Sequence, residues 1–221
     1  MPKRWATFDC YGTLIDWEGG LRRALEELWP EQDSDRLAEH FHSVEPRIQL
    51  GAELPYREVL ARALEAVAAI EALGLEPDRR TALADSLPSW PPFPEVPAAL
   101  GRLREAGWRL ALLSNTDPDL LAASMLSLAV DFDLAVTAAE AGSYKPAPGH
   151  WRRFFAETGA EPAGHVHVAA SLFHDIEPAA RLGLRAIWVN RLGEESELPR
   201  AAEISDLSPL PELLGQLSKA S

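Results

Sequence analysis

Cysteine is almost missing from this sequence of 221 residues, which contains only Cys10. No disulfide bond can therefore form within the chain, and such cysteine usage is typical of a reducing compartment. No apolar run approaches the roughly 18 residues of a membrane-spanning helix, and residues 1–10 lack the apolar stretch of a signal peptide. These absences predict a cytoplasmic protein that has no membrane partner.

Basic charge is also scarce, since 21 lysine and arginine residues face 34 aspartate and glutamate residues, giving a net charge of −13. Nucleic acids and anionic membranes both bind basic surfaces, so neither is expected as the main partner. A local cationic pocket for a small anionic substrate is compatible with this balance. The composition leaves the oligomeric state open, including a homodimer.

Strand signals are missing from a long early segment, residues 17–89, in which apolar residues instead recur at helical spacing. The apolar stripes lie at residues 21–28, 37–48 and 56–73. Pro46 is expected to bend or end the second helix, because proline lacks the N–H that a helix interior requires. A fourth helix is expected near residues 77–87, since Pro77 suits a first helical position. The whole segment is therefore predicted to be helical.

A proline-rich connector, PSWPPFPEVP at residues 88–97, ends this segment. From there on, strand patterns alternate with helical ones, as in a parallel sheet covered by helices on both faces. Strands are predicted at residues 4–8, 108–114, 132–137, 165–171 and 185–190. Helices are predicted at residues 96–106, 117–126 (with Asp117 as N-cap), 148–158 and 175–183, and residues 217–221 are expected to fray. The sequence thus predicts an α/β fold with a Rossmann-like, doubly wound parallel sheet.

The predicted domain organisation follows from the position of the first strand. This strand needs partners, and the nearest predicted strands lie beyond residue 108. Residues 17–89 are then an insertion after the first strand that forms a small all-helical cap domain, while residues 1–16 and 90–221 form the α/β core. An insertion at this point stands over the carboxyl ends of the strands, where sheets of this kind bind their ligands.

Polar side chains follow successive strands, which places them at this same edge of the sheet. They are Asp9 and Thr13, Ser114 and Asn115, Lys145, and Ser171 with Asp175. An aspartate is already ionised at pH 7 and needs no base to act as a nucleophile, and an ammonium such as that of Lys145 would hold it charged. The hydroxyl and amide donors would hold an anionic group of the substrate. Each residue also has a purely structural interpretation, as a turn or helix-cap residue.

The spacing of these residues resembles that of the haloacid dehalogenase superfamily over nearly the whole chain. The matching motifs are DCYGT at residues 9–13, LLSN at residues 112–115, YKP at residues 144–146, and the late Asp175. The resemblance implies a hydrolase in which Asp9 is the nucleophile and forms a covalent aspartyl intermediate. It also implies catalytic roles for Thr13, Ser114, Lys145 and Asp175, and a helical cap in the position of residues 17–89.

Two positions favour the 2-haloacid dehalogenase branch of the superfamily, which needs no cofactor. In the phosphatase branch, a second aspartate two residues after the nucleophile protonates the leaving alkoxide. Here that residue is Tyr11, which is a poor acid at neutral pH. The first carboxylate of the last phosphatase motif is Ala170 here. Since a halide needs no proton to leave, the site suits carbon–halogen cleavage, and hydrolysis of 2-haloacids is the predicted reaction.

Two alternatives stay open. A Mg²⁺-dependent phosphatase acting on small phosphoesters would use Asp9 and Asp175 as metal ligands, together with a backbone carbonyl and waters. A catalytically reduced protein would instead keep Asp9 and Lys145 as a binding site for a small anion.

The sequence also departs from the dehalogenase branch. That branch has Ser, Asn and Tyr where this chain has Ala170, Leu172 and Trp151. Its cap arginine, which faces the substrate, is best matched by Arg47, with Arg57 as the rival. His174 is a candidate for placing the hydrolytic water. Tyr11 and Asn115, together with Arg47, complete the expected substrate-binding set.

Overall fold

The computed structural model describes residues 4–50 and 54–217, and a parallel sheet lies at the centre of this part of the chain. Its strands are β1 (Trp5–Phe8), β2 (Arg109–Ser114), β3 (Leu134–Thr137), β4 (His165–Ala169), β5 (Ala186–Val189) and β6 (Ala202–Ile204). Their order is β3-β2-β1-β4-β5-β6, and every neighbouring pair is parallel. The predicted α/β fold is confirmed, and β1 lies between its later partners β2 and β4.

Helices connect and cover the strands. They are α1 (Trp17–Leu28), α2 (Ser34–Gln49), α3 (Tyr56–Ile70), α4 (Ala82–Ser86), α5 (Val96–Glu105), α6 (Pro118–Met125), α7 (Ala138–Ala141), α8 (Gly149–Thr158), α9 (Glu177–Arg181) and α10 (Leu210–Leu217). A single π-helical turn, Leu172–Ile176, lies between β4 and α9. No strand interrupts the described part of residues 17–89, as the apolar spacing predicts.

Both faces of the sheet are buried under helices. Successive side chains of a strand point to opposite faces, so each strand contributes to two separate cores. On β2, Leu110 and Leu112 belong to the hydrophobic core on one face. Ala111 and Leu113 belong to the core on the other face. Leu100 and Leu103 of α5 join the first core, and Phe154 of α8 joins the second. This two-sided burial explains why the strands read as continuous apolar runs in the sequence.

Three details of the helical segment differ from the prediction. Pro46 does not end α2, because the buried face of this helix continues past the proline to Gln49. The third helix ends at Ile70, since Ala72 adopts a left-handed backbone with a φ of 54°. The helix expected near residues 77–87 is shortened to α4, with 3₁₀ turns on both sides. Local propensity did not show where these helices stop.

The C-terminal elements β6 and α10 lie beyond the last predicted element. β6 has only the three residues AEI, which carry too little alternation to predict a strand. α10 ends at Leu217, and residues 218–221 of the tail that was expected to fray lie outside the described residues. None of the described helices is long and apolar enough to cross a membrane.

Candidate active site

Asp9 lies directly after β1, at the carboxyl end of an inner strand of the sheet. Its backbone N–H donates to the carbonyl oxygen of Val168 at 3.1 Å and so extends the pairing with β4. The chain then turns at Gly12, whose φ of +84° suits glycine. Thr13 Oγ1 donates to Asp9 Oδ2 at 2.8 Å and accepts from the backbone N–H of Ala170 at 2.9 Å. The DCYGT loop therefore folds back so that the hydroxyl of Thr13 contacts the carboxylate of Asp9.

Lys145 lies at the centre of the site, with 1% of its surface exposed. Its ammonium donates to Asp9 Oδ1 at 2.8 Å, to Asp175 Oδ1 at 2.7 Å and to the backbone oxygen of Leu113 at 2.8 Å. Burial by itself would lower the pKa of Lys145, but the charges of Asp175 and Asp9 outweigh it, and the pKa is raised. One ammonium thus holds two carboxylates together.

Asp175 lies in the π-helical turn that follows β4, and its side chain is buried. Its Oδ1 accepts a second hydrogen bond, from His167 Nε2 at 2.9 Å. Its Oδ2 has no hydrogen-bond partner among the described residues. Burial opposes ionisation, yet Lys145 and His167 together hold the pKa of Asp175 well below its ordinary value. Asp175 is therefore a carboxylate at neutral pH.

Ser114 is the last residue of β2 and Asn115 follows it, but their surroundings differ. Ser114 lines the cavity beside Asp9, and its buried Oγ has no hydrogen-bond partner in the described part of the chain. Asn115 Oδ1 accepts from the backbone N–H of Lys145 at 2.7 Å, and Asn115 Nδ2 donates to the Lys145 carbonyl oxygen at 3.0 Å. Asn115 also lines the cavity. Its amide, however, is engaged in fixing the loop that carries Lys145.

A cavity of about 590 Å³ opens beside Asp9, with the sheet edge on one side and α1, α2 and α3 on the other. Tyr11 lines it, and its hydroxyl is hydrogen-bonded to Ser124 Oγ at 2.9 Å. Burial raises the pKa of Tyr11 above its ordinary value, so this phenol does not supply a proton at neutral pH. A second cavity, of about 650 Å³, shares Gln49 and Lys145 with the first.

The structure does not bring the candidate arginines to the cavity beside Asp9. Arg47 is exposed, and it is not among the described residues that line this cavity. Arg57 is exposed too and pairs with Asp117 at 3.3 Å. The helical repeat gives the reason, because Glu45 and Gln49 lie one turn apart on the inner side of α2 and Arg47 falls between them, on the outer side. In this structure Glu45, and not Arg47, holds the inward position, and the substrate-binding role of Arg47 stays a prediction.

Asp117 joins the helical segment to the core and does not cap α6 with its side chain, contrary to the prediction. Its Oδ1 accepts from the backbone N–H of Tyr56 at 2.8 Å, and its Oδ2 accepts from that of Arg57 at 3.0 Å. The reason lies in α3, which begins after Pro55 and has no side-chain cap of its own. The first N–H groups of a helix need acceptors, and Asp117 supplies them from the core.

Two further ionisable residues of the cavity escaped the sequence interpretation. Arg191 follows β5, and its Nη2 donates to the Thr13 carbonyl oxygen at 2.8 Å and to Glu95 Oε1 at 2.7 Å. Its guanidinium lies 3.6 Å from the ring centroid of Phe93. The strand-end argument that singled out Asp9 applies equally to Arg191. Glu45 lies in a helix, so the strand-end argument could not identify it. Burial raises the pKa of Glu45 to about 7.

The positions at which the chain departs from the dehalogenase branch lie in different places. Ala170 and Leu172 line the cavity, as does His174, the candidate for placing the water. Trp151 is instead buried in the core on one face of the sheet, with its ring centroid 5.3 Å from that of His167. His174 Nδ1 lies 3.1 Å from Ser171 Oγ, and its Nε2 has no hydrogen-bond partner within the described residues. Burial lowers the pKa of His174, so the ring is neutral at pH 7.

Most carboxylate oxygens of this site are already hydrogen-bonded, so few are free to bind a resident Mg²⁺ ion. Asp175 Oδ2 is available, but Asp175 Oδ1 and both oxygens of Asp9 already accept hydrogen bonds. Among the described residues, no group of three or more His, Cys, Asp or Glu side chains is placed to hold a metal ion. Mg²⁺ prefers a near-octahedral set of oxygen ligands, and the side chains of Tyr11 and Ala170 add no carboxylate to this cavity.

A parallel sheet with charged side chains gathered at its carboxyl edge is the ligand-binding arrangement of open α/β folds. A more specific assignment comes from comparison with known families. The family model of haloacid dehalogenase-like hydrolases matches residues 3–183, and the chain belongs to this family.

Two curated relatives differ in the reaction that their names state. The chain is 27% identical to (S)-2-haloacid dehalogenase 1 of Pseudomonas sp. strain CBS-3 over 235 residues, which cover 99% of each chain. It is 33% identical to the phosphoserine phosphatase of Thermus thermophilus over 154 residues, which cover 67% of this chain and 59% of the phosphatase. Dehalogenases and phosphatases are thus both among its relatives.

Two solved structures share the fold. An L-2-haloacid dehalogenase that is 26% identical superimposes with a TM-score of 0.86 and covers 97% of this chain and 100% of the other. The L-2-haloacid dehalogenase of Xanthobacter autotrophicus with covalently bound chloropropionic acid also has a TM-score of 0.86. It is 21% identical, with 96% of this chain and 98% of the other covered.

Proposed function

We propose that this protein is a metal-independent hydrolase that displaces a halide from small 2-haloacids, with Asp9 as the nucleophile. The observation that carries the proposal is the ammonium of Lys145, which contacts both Asp9 and Asp175 in a buried site. Lys145 neutralises charge there without a metal ion. The (S)-2-haloacid dehalogenase that aligns with the full chain supports the choice of substrate class.

In the first step, a carboxylate oxygen of Asp9 attacks the carbon that carries the halogen. The new carbon–oxygen bond forms as the carbon–halogen bond breaks, and the halide leaves with the bonding electrons. No acid is needed, which fits the raised pKa of Tyr11. Ser114 lines the cavity, its Oγ is buried and has no hydrogen-bond partner within the described residues, and in this proposal that hydroxyl donates to the substrate carboxylate.

In the second step, water attacks the carbonyl carbon of the Asp9 ester. The bond between that carbonyl carbon and the alkoxide oxygen breaks, one proton of the water passes to the alkoxide oxygen of the departing 2-hydroxyacid, and the other is released to solvent as the carboxylate of Asp9 is restored. Two polar atoms without hydrogen-bond partners in the described part of the chain, Asp175 Oδ2 and His174 Nε2, belong to residues of this cavity and would place the water.

Residues 17–89 act in this proposal as a cap that closes over Asp9 and excludes water, hinged near residue 16 and at residues 88–97. Hydrogen bonds of three core residues support it by joining this segment to the core. Besides the bonds of Asp117 to α3, Asn115 Nδ2 donates to Gln49 Oε1 at 3.2 Å, and the Tyr144 hydroxyl donates to the Leu54 carbonyl oxygen at 2.6 Å. The reaction chamber is then shared between cap and core.

A Mg²⁺-dependent phosphatase is the second candidate, favoured by the phosphatase relatives and by the unpartnered Asp175 Oδ2 in the described part of the site. If Mg²⁺ bound here, Asp9 and Asp175 would be its protein ligands, and it would offset the charge of a phosphoester. Asp9 would then have to share an oxygen that already accepts from Lys145 or Thr13, whereas Asp175 Oδ2 has no partner within the described residues. The third candidate, a small-anion-binding protein without turnover, would keep the present arrangement.

A four-way assay tests the proposal. 2-Chloropropionate and p-nitrophenyl phosphate are each offered to the purified protein with EDTA and with excess Mg²⁺. Halide release that EDTA leaves unchanged is the expected result. Phosphate release that appears only with Mg²⁺, without halide release, would establish the phosphatase instead. Silence in all four assays, combined with saturable binding of the haloacid, would leave the small-anion-binding function.

A further inference from the structure

Two histidines of β4, His165 and His167, lie on the same face of the strand and are fully buried. Thr7 of β1 is the residue in register with His167. Its Oγ1 lies 2.8 Å from His165 Nε2 and 2.8 Å from His167 Nδ1. His167 Nε2 in turn lies 2.9 Å from Asp175 Oδ1. A continuous line of hydrogen bonds therefore runs beneath the proposed active site and ends at its second carboxylate.

The direction of each hydrogen bond follows from the carboxylate end. A carboxylate only accepts, so His167 Nε2 carries a proton and donates to Asp175. In a neutral ring, His167 Nδ1 is then an acceptor, and the Thr7 hydroxyl donates to it. The same hydroxyl oxygen accepts from His165 Nε2. His165 Nδ1 is left with a lone pair, and it has no hydrogen-bond partner among the described residues.

The opposite order, with His167 protonated on both nitrogens, would be less favourable. Thr7 would then accept from His167. If it donates to His165 Nε2, His165 Nδ1 carries a buried N–H without an acceptor among the described residues; if it accepts from both rings, its own O–H loses both ring acceptors. Unpaired buried N–H groups are rarer than unpaired acceptors. Burial lowers the pKa of His165 to about 3, which agrees with a neutral ring.

We propose that His167 is a positioning residue, which holds Asp175 in place through Nε2–H and thereby fixes Lys145 and the nucleophile Asp9. The mechanical reason is that Asp175 shares its Oδ1 between His167 and Lys145. Thr7 and His165 complete the device by setting the tautomer of His167. The catalytic part of this inference rests on the proposed nucleophilic role of Asp9, whereas the tautomer order does not.

The charged and titratable groups around His167 come from four elements. Asp175 in the π-helical turn and Lys145 in its loop face it from the site, His165 lies on the same strand, and His150 of α8 lies nearby. Burial lowers the pKa of His150 to about 3, so this ring adds no charge at neutral pH. Removing the donor from Asp175 would favour its protonated form. The acid limb of a kcat–pH profile should then move to higher pH.

The first test needs no substrate. Long-range ¹H–¹⁵N spectra of ¹⁵N-labelled protein at about pH 7 distinguish protonated ring nitrogens from lone-pair nitrogens, and the variants His165→Gln and His167→Gln assign the signals. Both rings are expected to be neutral and protonated on Nε2. A His167 ring that carries its proton on Nδ1, or on both nitrogens, would overturn the inference even if the proposed function holds.

The second test compares His167→Leu with His167→Gln, since a glutamine amide at this position retains a donor for Asp175. In the leucine variant, kcat for the best haloacid should fall roughly tenfold or more, with KM changed by less than about twofold. The acid limb of its profile should move to higher pH, and the glutamine variant should recover most of both effects. Comparing Thr7→Val with Thr7→Ser applies the same test to the hydroxyl that is hydrogen-bonded to His167 Nδ1.

Thermal unfolding separates positioning from simple loss of stability. A leucine variant that is folded at the assay temperature and has an unchanged kcat and acid limb would overturn the inference. If the wild-type protein turns over no haloacid, the proposed function fails, but the tautomer spectra still decide the order of the hydrogen bonds.

Discussion

The ammonium of Lys145 lies 2.8 Å from Asp9 Oδ1 and 2.7 Å from Asp175 Oδ1, in a place where 1% of the lysine side chain is exposed. Buried charges of this kind are stable only when they are paired and hydrogen-bonded. This relationship therefore has consequences for stability as well as for reactivity, and the two can be measured separately.

Removing the ammonium should destabilise the protein. In Lys145→Met, two buried carboxylates lose their shared partner, and the free energy of unfolding should fall by roughly 3–5 kcal/mol at neutral pH. Acidification should restore part of the loss, because protonation removes the repulsion between Asp9 and Asp175. Urea unfolding at several pH values measures this. Arg102→Met, which breaks the exposed pair with Glu212, is the control and should cost no more than about 1 kcal/mol.

Replacing the nucleophile should abolish turnover. Asp9→Asn keeps the size of the side chain and can still accept from Thr13, but the amide is not a nucleophile, so kcat should fall by roughly 10³-fold or more. Steady-state halide release measures it, with circular dichroism as a check of folding. Asp33→Asn, at the exposed N-cap of α2, is the matched control and should retain activity. Substantial turnover by Asp9→Asn would rule out the covalent route.

The pKa of Glu45 predicts a pH dependence of substrate binding. With a pKa of about 7, this carboxyl is largely neutral below that pH and anionic above it. Across the cavity from Asp9, the anion would repel a haloacid carboxylate, so KM should rise several-fold between about pH 6 and pH 8. In Glu45→Gln the rise should disappear. A wild-type KM that stays constant over this range would show that Glu45 does not face the substrate.

The same residue should affect stability in a defined direction. The folded-state pKa of Glu45 is raised, so between about pH 4.5 and pH 7 the folded protein binds more protons than the unfolded chain. Stability contributed by this group is present below the lower value and is lost as the pH rises. Glu45→Gln should therefore be more stable than the wild type at pH 8, on the order of 2–3 kcal/mol, and not at pH 4. Denaturant unfolding at both pH values checks the sign.

Water placement by His174 gives a prediction about the intermediate. If His174 Nε2 orients the hydrolytic water, His174→Phe should slow ester hydrolysis more than halide displacement. The aspartyl ester would then accumulate. Intact-mass spectra of acid-quenched enzyme should show the added acid, and peptide mapping should locate it on the peptide that contains Asp9. His42→Phe, which changes an exposed histidine of the same cavity, is the comparison. Equal adduct levels in both variants and the wild type would exclude this role for His174.

Much of the fold follows from local patterns. Alternating apolar strands and amphipathic helices predicted the parallel sheet, and the absence of strand signals predicted the helical segment after β1. The strand-end rule also located Asp9, Thr13, Ser114, Lys145 and Asp175, because parallel strands bring their carboxyl ends to one edge. Each of these inferences depends on periodicity or chain order, which the sequence contains directly.

Other features depend on distances between residues far apart in the chain. Whether Glu45 or Arg47 faces Asp9 depends on the rotation of α2 against the sheet, which a two-residue offset in the sequence does not reveal. Asp117 looked like a helix cap, but it binds the first N–H groups of α3, some 60 positions earlier.

The sequence by itself determined which polar and charged residues come at the end of each strand, since this follows from residue type and position in the chain. Only the tertiary structure decided how those charges are paired. In the sequence, His167 is one more residue of a buried strand. In the structure, Thr7 from β1 and Asp175 from the following turn come within 3 Å of its two ring nitrogens. Hydrogen bonds act over such short distances that packing decides which buried polar groups meet.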